Sequence, residues 1–357
     1  MSVALRMAPD HALERAIDRR PGLDPRRLAN LMAAAIRRLG LDLSGHAVVT
    51  EAATGAYGVT PVIAALAGAR DVVAVAGDSR FGTAAEAIAH TGALARAAGV
   101  VDRIDFVTSK AAADLSAADV VTNSGHLRPL DADTIAEMKP GAAIPLMYEA
   151  WELRPGDVDL EACRARGVRV AGTNERHPDV DVFSYLGVMA AKLLTDAGIA
   201  VHASRLLLLC DNPFRTFIAR GLTGAGATLD VRDRIADGPI DAAWDAVVVA
   251  LRPGPAPVLG EADVRLLGAL APGTPVVQYW GDLDRDALLA AEIPVWPEVP
   301  PAPGHMGVLP SAVGPEPIVR LQAGGLKVGE VLCGLARGRS PRADLDYLQW
   351  PLPEGRS

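Results

Sequence analysis

Short β-branched apolar runs alternate with longer stretches of helical spacing along most of this chain. The stretch VVTEAATGAYGVTP (48–61) sets the theme. Val48 and Val49 suit a buried parallel strand, and Gly55 and Gly58 bracket a turn that can bring bare backbone close to a ligand. The small apolar residues VIAALAGA continue as a helix packed on a sheet. A helix starting there aims free N–H groups and the positive end of its dipole at whatever lies over the turn. A glycine turn of this kind also serves simply to let a helix pack tightly, and spacing alone leaves both readings open.

Further strands are predicted at 71–80, 103–109, 118–125, 141–149 and 168–175, with helices in TAAEAIAHTGALARAAG, DADTIAEM and VDLEACRARG. Residues 181–198 read as a long amphipathic helix crossing between domains. Alternation resumes with SRLLLLCDNPF (204–214), WDAVVVALRP (244–253), PGTPVVQYWGD (272–282) and IPVWPE (293–298). The fold class expected is α/β: two Rossmann-like doubly wound parallel-sheet domains with a cleft between them. The expected divisions are an N-terminal helical segment (1–44), a domain carrying the glycine turn (45–200), a second domain (201–314), and a C-terminal helix and tail (315–357) packing back on the first domain. In the N-terminal segment Asp24 is placed to cap a helix, Pro25 to begin it and Gly40 to end it. The Pro/Gly-rich stretch 299–317 is too long for a plain connector and is expected to be a functional loop.

Composition narrows the classes. A chain of 357 residues fits two domains, and half of it is hydrophobic with only 4% aromatic, which suits Ala/Val-rich helices packed on sheets. The net charge of −8 is spread among interspersed bases, so no basic stripe is present for nucleic acid. Cys163, Cys210 and Cys333 are scattered without a C-x-x-C spacing, so neither a metal site nor a disulfide framework is expected. No apolar run has the length of a signal peptide core or a membrane span, and the protein reads as soluble and cytoplasmic. A homodimer is expected through the helices at 25–39 and 181–198.

Ligands of doubly wound sheets collect at the carboxyl ends of the strands. Those ends carry Glu51, Tyr57, Asn123, Ser124, His126, Arg128, Glu149, Trp151, Glu152, Arg154, Asn174, Glu175, Arg176 and His177. Glu149 and Glu152 are candidates for acid–base work, and Arg154 or Arg252 for gripping a carboxylate. The same charges in a solvated loop would only pair with each other. Thr54, Gly55 and Gly58 are the candidate phosphate cradle, with Asp78, Ser79 and Arg80 for ribose hydroxyls or a 2′-phosphate, which implies NAD or NADP. In CDNPFR (210–215), either Asn212 and Arg215 face a ligand, or Asp211 or Asn212 simply caps a helix with Pro213 at its first position.

From about residue 118 to 338 the order of segments resembles the D-isomer-specific 2-hydroxyacid dehydrogenases, which include formate and glycerate dehydrogenases. VDLEACRARGVRVAGTN (158–174), the helix DVFSYLGVMAAKLL, and APGTPVVQYWGDLDRDALLAA are similar to blocks of that family. The resemblance implies an NAD(P)-linked oxidoreductase acting on a small polar carboxylic acid or amino acid, with its nucleotide in the second domain. It also implies His305 of GHMGVLPSAVGPEP (304–317) as the catalytic histidine. The sequence departs from the family at DNPFR, where a glycine fingerprint belongs, and at Trp280, where the family has its catalytic Arg. Asp211 would repel a pyrophosphate, so the residues themselves point to the first domain. Residues 45–148 also resemble S-adenosylmethionine-dependent methyltransferases through EAATGAYG, making a transferase the first alternative. A binding protein that kept the fold without catalysis is the second.

Overall fold

In a computed structural model, residues 20–238, 244–270, 272–338 and 342–351 are described. The expectations for residues 1–19 and for the end of the tail lie outside them. The chain forms two compact units, unit 1 from the N-terminal part through Asp181 together with Gly314 onward, and unit 2 from Val182 to Val313. The division falls at 181/182, ahead of the boundary expected at 200, because the helix expected to cross between domains packs on its neighbour inside unit 2.

Helix α1 (Pro25–Leu39) starts where the sequence indicates: the Asp24 carboxylate accepts from the Arg26 and Arg27 amides, and Gly40 closes it in the left-handed conformation at φ 54°. Its apolar stripe of Leu28, Met32, Ala35 and Leu39 is buried within unit 1, so that stripe is not a free oligomer face. Strand β1 (Ala47–Glu51) runs through a 3-10 turn (Gly55–Val59) into α2 (Thr60–Leu66). Then follow β2 (Asp71–Val75), α3 (Ala84–Ala97), β3 (Ile104–Val107), β4 (Val120–Val121), α4 (Ala132–Glu137), β5 (Ala143–Leu146), α5 (Leu160–Arg166) and β6 (Arg169–Thr173).

Unit 2 contains α6 (Leu186–Asp196), β7 (Arg205–Leu209), α7 (Phe214–Gly224), β8 (Thr228–Arg232), β9 (Ala246–Ala250), α8 (Glu261–Leu270), β10 (Val276–Trp280), α9 (Arg285–Ala290) and β11 (Val295–Trp296). Its five strands are parallel in the order β11-β10-β9-β7-β8. Alternate residues feed opposite faces, as strand geometry requires. Leu206, Leu208 and Val248 join the core under α6 and α7, while Leu207, Leu209, Val247 and Val249 join the one that includes Val264, Leu267 and Leu288. Helices α6 and α7 cross at Gly187 and Gly221, where a Cβ on Gly187 would lie 2.6 Å from Gly221 Cα.

The chain returns to unit 1 as α10 (Glu316–Ala336) and a short β12 (Leu348–Gln349). The sheet of unit 1 has the order β12-β6-β5-β4-β1-β2-β3, parallel except for β12, which pairs antiparallel with β6. Glycines let α10 lie directly on this layer: a Cβ at Gly325 would come 2.5 Å from Met147 Sδ, and one at Gly329 2.9 Å from Val120. No helix among the described residues is long and apolar enough to cross a membrane.

Candidate functional site

Parallel strands joined by helices deliver every strand-to-helix loop to one edge of the sheet. In unit 1 that edge gathers the ends of β5 and β6 around three carboxyl groups. Glu149 opens a 3-10 turn (Ala150–Glu152) as its cap, and Glu152 bonds back to the Glu149 amide at 3.1 Å. The Glu149 carboxylate, only 2% exposed, accepts from Trp151 Nε1 at 2.6 Å and from Gln349 Nε2 at 2.8 Å, and Arg176 Nε lies 3.5 Å away. Glu175 is buried beside them. Burial, with the repulsion of Glu149 added, pushes the Glu152 carboxyl up to about 7. Burial, then the charges of Glu152 and Glu149, raises Glu175 well above the usual carboxylate range. Closely packed carboxyls cannot all ionise, so near neutral pH this edge holds a proton that a reaction can use.

Around the cluster, several predicted residues serve as supports. Tyr148 donates to Asp157 at 2.8 Å and Arg128 approaches the same carboxylate at 3.3 Å. Asn174 ties down the C-terminal segment, its amide N–H reaching Tyr347 O at 3.0 Å and its side chain Asp346 O at 2.8 Å. His177 stacks on Tyr347 at 3.9 Å between ring centres, and its Nδ1 accepts the Asp179 amide. Arg154 is exposed. Asn123 is 1% exposed, and its Oδ1 accepts the Met147 amide at 2.8 Å. No group of three or more His, Cys, Asp or Glu among the described residues is arranged to hold a metal ion.

The strand order of unit 1 reverses between β1 and β4, and the glycine turn lies at that point. Gly55 adopts φ 62°, with open space where a Cβ would point. Thr54 forms no side-chain cap on the 3-10 turn and donates instead to Phe81 O at 3.1 Å. Gly58 has a packing role: a Cβ there would fall 2.6 Å from Ala53 O and 3.1 Å from both His90 Cδ2 and Thr91 Oγ1. Tyr57 accepts the Thr60 hydroxyl through its carbonyl. Asp78, Ser79 and Arg80 are exposed; Asp78 also accepts the Ala84 amide at 2.8 Å, Ser79 shapes a turn with Gly82, and the Arg80 guanidinium lies over Phe81. Glu51, one of the strand-end residues, takes the His126 amide at 3.2 Å within this crevice. Burial raises its carboxyl, against the amides of His126 and Gly125.

In unit 2 the reversal lies between β7 and β9. Asn212 donates to Ala250 O at 2.7 Å and accepts the Phe214 amide at 3.1 Å, while Asp211 accepts the Arg252 amide at 3.0 Å. A phosphate charge brought to about 4 Å from that carboxylate would be repelled by roughly 1 kcal/mol in water and roughly 4 kcal/mol at an effective dielectric of about 20. The residues at this turn do not fit a dinucleotide. Trp280 is buried, 5.0 Å from Phe214 between ring centres. His305 belongs to unit 2, where its Nδ1 bonds Pro303 O at 3.0 Å. The loop carrying it is anchored on β10 through Trp280 Nε1 to Gly304 O (3.1 Å) and Gly307 N to Tyr279 O (2.9 Å).

Gln349 and Asp157 do not stand out in the sequence. Asp157 lies in RPGDVD without a local signature, and Gln349 is 200 positions from the carboxylate it binds.

No protein-family model matches the chain, and no curated protein matches it in sequence. Solved structures do. A dipicolinate synthase component from Bacillus halodurans is 14% identical, covering 83% of this chain and 99% of its own, with TM-score 0.52. Its counterpart in the dipicolinate synthase of Bacillus subtilis is 12% identical over 84% and 98%, with TM-score 0.53. An NAD-dependent formate dehydrogenase from Staphylococcus aureus, in complex with NAD, matches at 15% identity over 76% and 97%, with TM-score 0.45. The two dipicolinate synthase structures match over nearly their whole length, and at 12–14% identity the likeness speaks to the fold alone.

Proposed function

We propose that the chain is an NAD(P)-linked oxidoreductase, or a descendant of one, acting on a small polar carboxylic acid or amino acid. The observation that carries this reading is the strand order of unit 1, whose reversal between β1 and β4 is where sheets of this order bind dinucleotides. Thr54, Gly55 and the amides after them are assigned to the pyrophosphate, with Gly58 packing the turn and Asp78, Ser79 and Arg80 assigned to the ribose side. The bound nicotinamide would supply or accept the hydride. Glu152, with a carboxyl near neutrality, is assigned the proton, with Glu149 beside it and His305 as the second candidate. Arg128, Arg154 and Arg176 are the candidate carboxylate grips, and Tyr57, Asn123, Trp151, Asn174, Glu175 and His177 complete the assigned polar set. A cytoplasmic homodimer remains part of the proposal; light scattering at micromolar protein tests the assembly.

One observation favours a non-catalytic binding protein as the second reading: Glu51 places a carboxyl of the protein's own in the crevice of unit 1. The S-adenosylmethionine reading finds no support; among the described residues β12 pairs with β6 over Leu348 and Gln349 alone, and no final hairpin is present. Thermal shift with NAD, NADP and S-adenosylmethionine tests the proposal, since a ligand at about 100 times its Kd adds about 2.7 kcal/mol to the folded state. NAD or NADP is expected to raise the melting temperature. Folded Gly55→Val is expected to lose the shift and folded Asn212→Val to keep it. No shift with either nucleotide sinks the redox reading; the reverse pattern moves the nucleotide to unit 2.

A further inference from the structure

The place where an open parallel sheet binds a ligand is the crevice at which its strand order reverses, because neighbouring loops diverge there. In unit 2 the loops after β7 and β9 are instead tied together. Asn212 Nδ2 reaches Ala250 O at 2.7 Å, the Arg252 amide reaches Asp211 Oδ1 at 3.0 Å, and Asn212 Nδ2 also bonds Asp211 Oδ1 at 3.1 Å. The start of α7 is closed as well, its Phe214 amide taken by Asn212 Oδ1 at 3.1 Å. Arg215 folds back on this turn, bonding Cys210 O through Nε (2.9 Å) and a terminal nitrogen (2.7 Å), and pairs with Asp233 just beyond β8. From the other side, Gly281 at φ 102° backs onto Leu251 O, which a Cβ would approach to 2.8 Å, and Val258 N bonds Asp282 O at 2.8 Å. The exit of β9 is held on both flanks.

We infer that unit 2 is not a nucleotide-binding unit: Asp211 and Asn212 form an internal latch that fills its switch point with the protein's own anion and amide. Asp211 receives a loop amide, as a ligand anion would, and Asn212 takes the helix-start amide that a phosphate needs. The latch makes the β7 and β9 exits one rigid edge. It does not depend on the proposed function, which places the nucleotide in unit 1.

Amide hydrogen exchange on the full chain tests it, with NADH and NADPH as probes. In the wild type neither nucleotide is expected to protect residues 210–215 or 250–254; protection there overturns the inference. Nucleotide protection confined to residues 52–60 supports both this inference and the proposed function, whereas protection nowhere supports the latch and removes that function. Asp211→Ala is expected to speed exchange of the Arg252 amide by about tenfold or more, the loss of a charge-assisted bond, with core amides of β7 and β9 unchanged. An Arg252 amide that exchanges at the wild-type rate in that variant overturns the latch. If Asp211→Ala does not fold, Asp211→Leu, nearer to aspartate in size, removes the acceptor and is read at the same amide with the same two outcomes.

Discussion

Replacing Glu152 by Gln should stabilise unit 1, and the gain should grow with pH. The folded carboxyl titrates at about 7 against an ordinary value of 4.5, with burial as the main cause and Glu149 adding repulsion. Below the ordinary value both folded and unfolded chains are protonated and nothing is at stake. As pH rises, the unfolded chain releases its proton first, so the folded state binds more protons and stability falls until the folded carboxyl has also ionised. The gap is worth at most about 3 kcal/mol, or roughly a hundredfold in the unfolding equilibrium. Glutamine keeps the shape and the oxygen that meets the Glu149 amide, but cannot ionise. Hydrogen exchange of core amides in β1 and β5 reads unit 1 directly, and the ratio of variant to wild type at each pH cancels intrinsic exchange. The two proteins should agree near the ordinary carboxylate value, with the variant exchanging more slowly by up to about a hundredfold at high pH. A ratio that stays flat across that range refutes the argument that the cluster desolvates Glu152.

Two stability predictions follow from close contacts and caps. Gly187→Ala puts a Cβ 2.6 Å from Gly221 Cα and 2.7 Å from Phe217 O, both backbone, so α6 and α7 must separate; a loss of about 1–3 kcal/mol is expected in urea unfolding, and a change under about 0.5 kcal/mol contradicts it. Thr83→Ala removes a reciprocal cap, in which Thr83 Oγ1 accepts the Glu86 amide and Glu86 accepts the Thr83 amide; helix α3 should lose about 1 kcal/mol, seen as faster exchange in its first turn.

What the amino-acid sequence determines here is decided within a few residues of itself. Asp24, Pro25 and Gly40 bound α1 as their chemistry requires, because a cap needs only amides two or three positions away. The β-branched runs and helical stretches of both units are likewise legible, since burial on a sheet imposes its period locally. The glycine turn after β1 is visible too, but its two glycines serve different ends: Gly55 takes a left-handed backbone beside open space, and Gly58 makes room for Ala53, His90 and Thr91.

The tertiary structure alone decides what the charges do. Strand order settles which loops share a crevice, and nothing in the spacing of apolar runs states that β1 lies beside β4 or β7 beside β9. Their place at a strand end marks Glu149 and Glu152 as acid–base candidates, but the burial that raises Glu152 and the distant Gln349 amide that binds Glu149 come from the fold alone. Asp211 reads as a helix cap, and becomes a latch only because the Arg252 amide, 41 positions later, comes to 3.0 Å. A carboxyl's chemistry depends on its solvation and its neighbours, and both are set by the folding of residues far away in the chain.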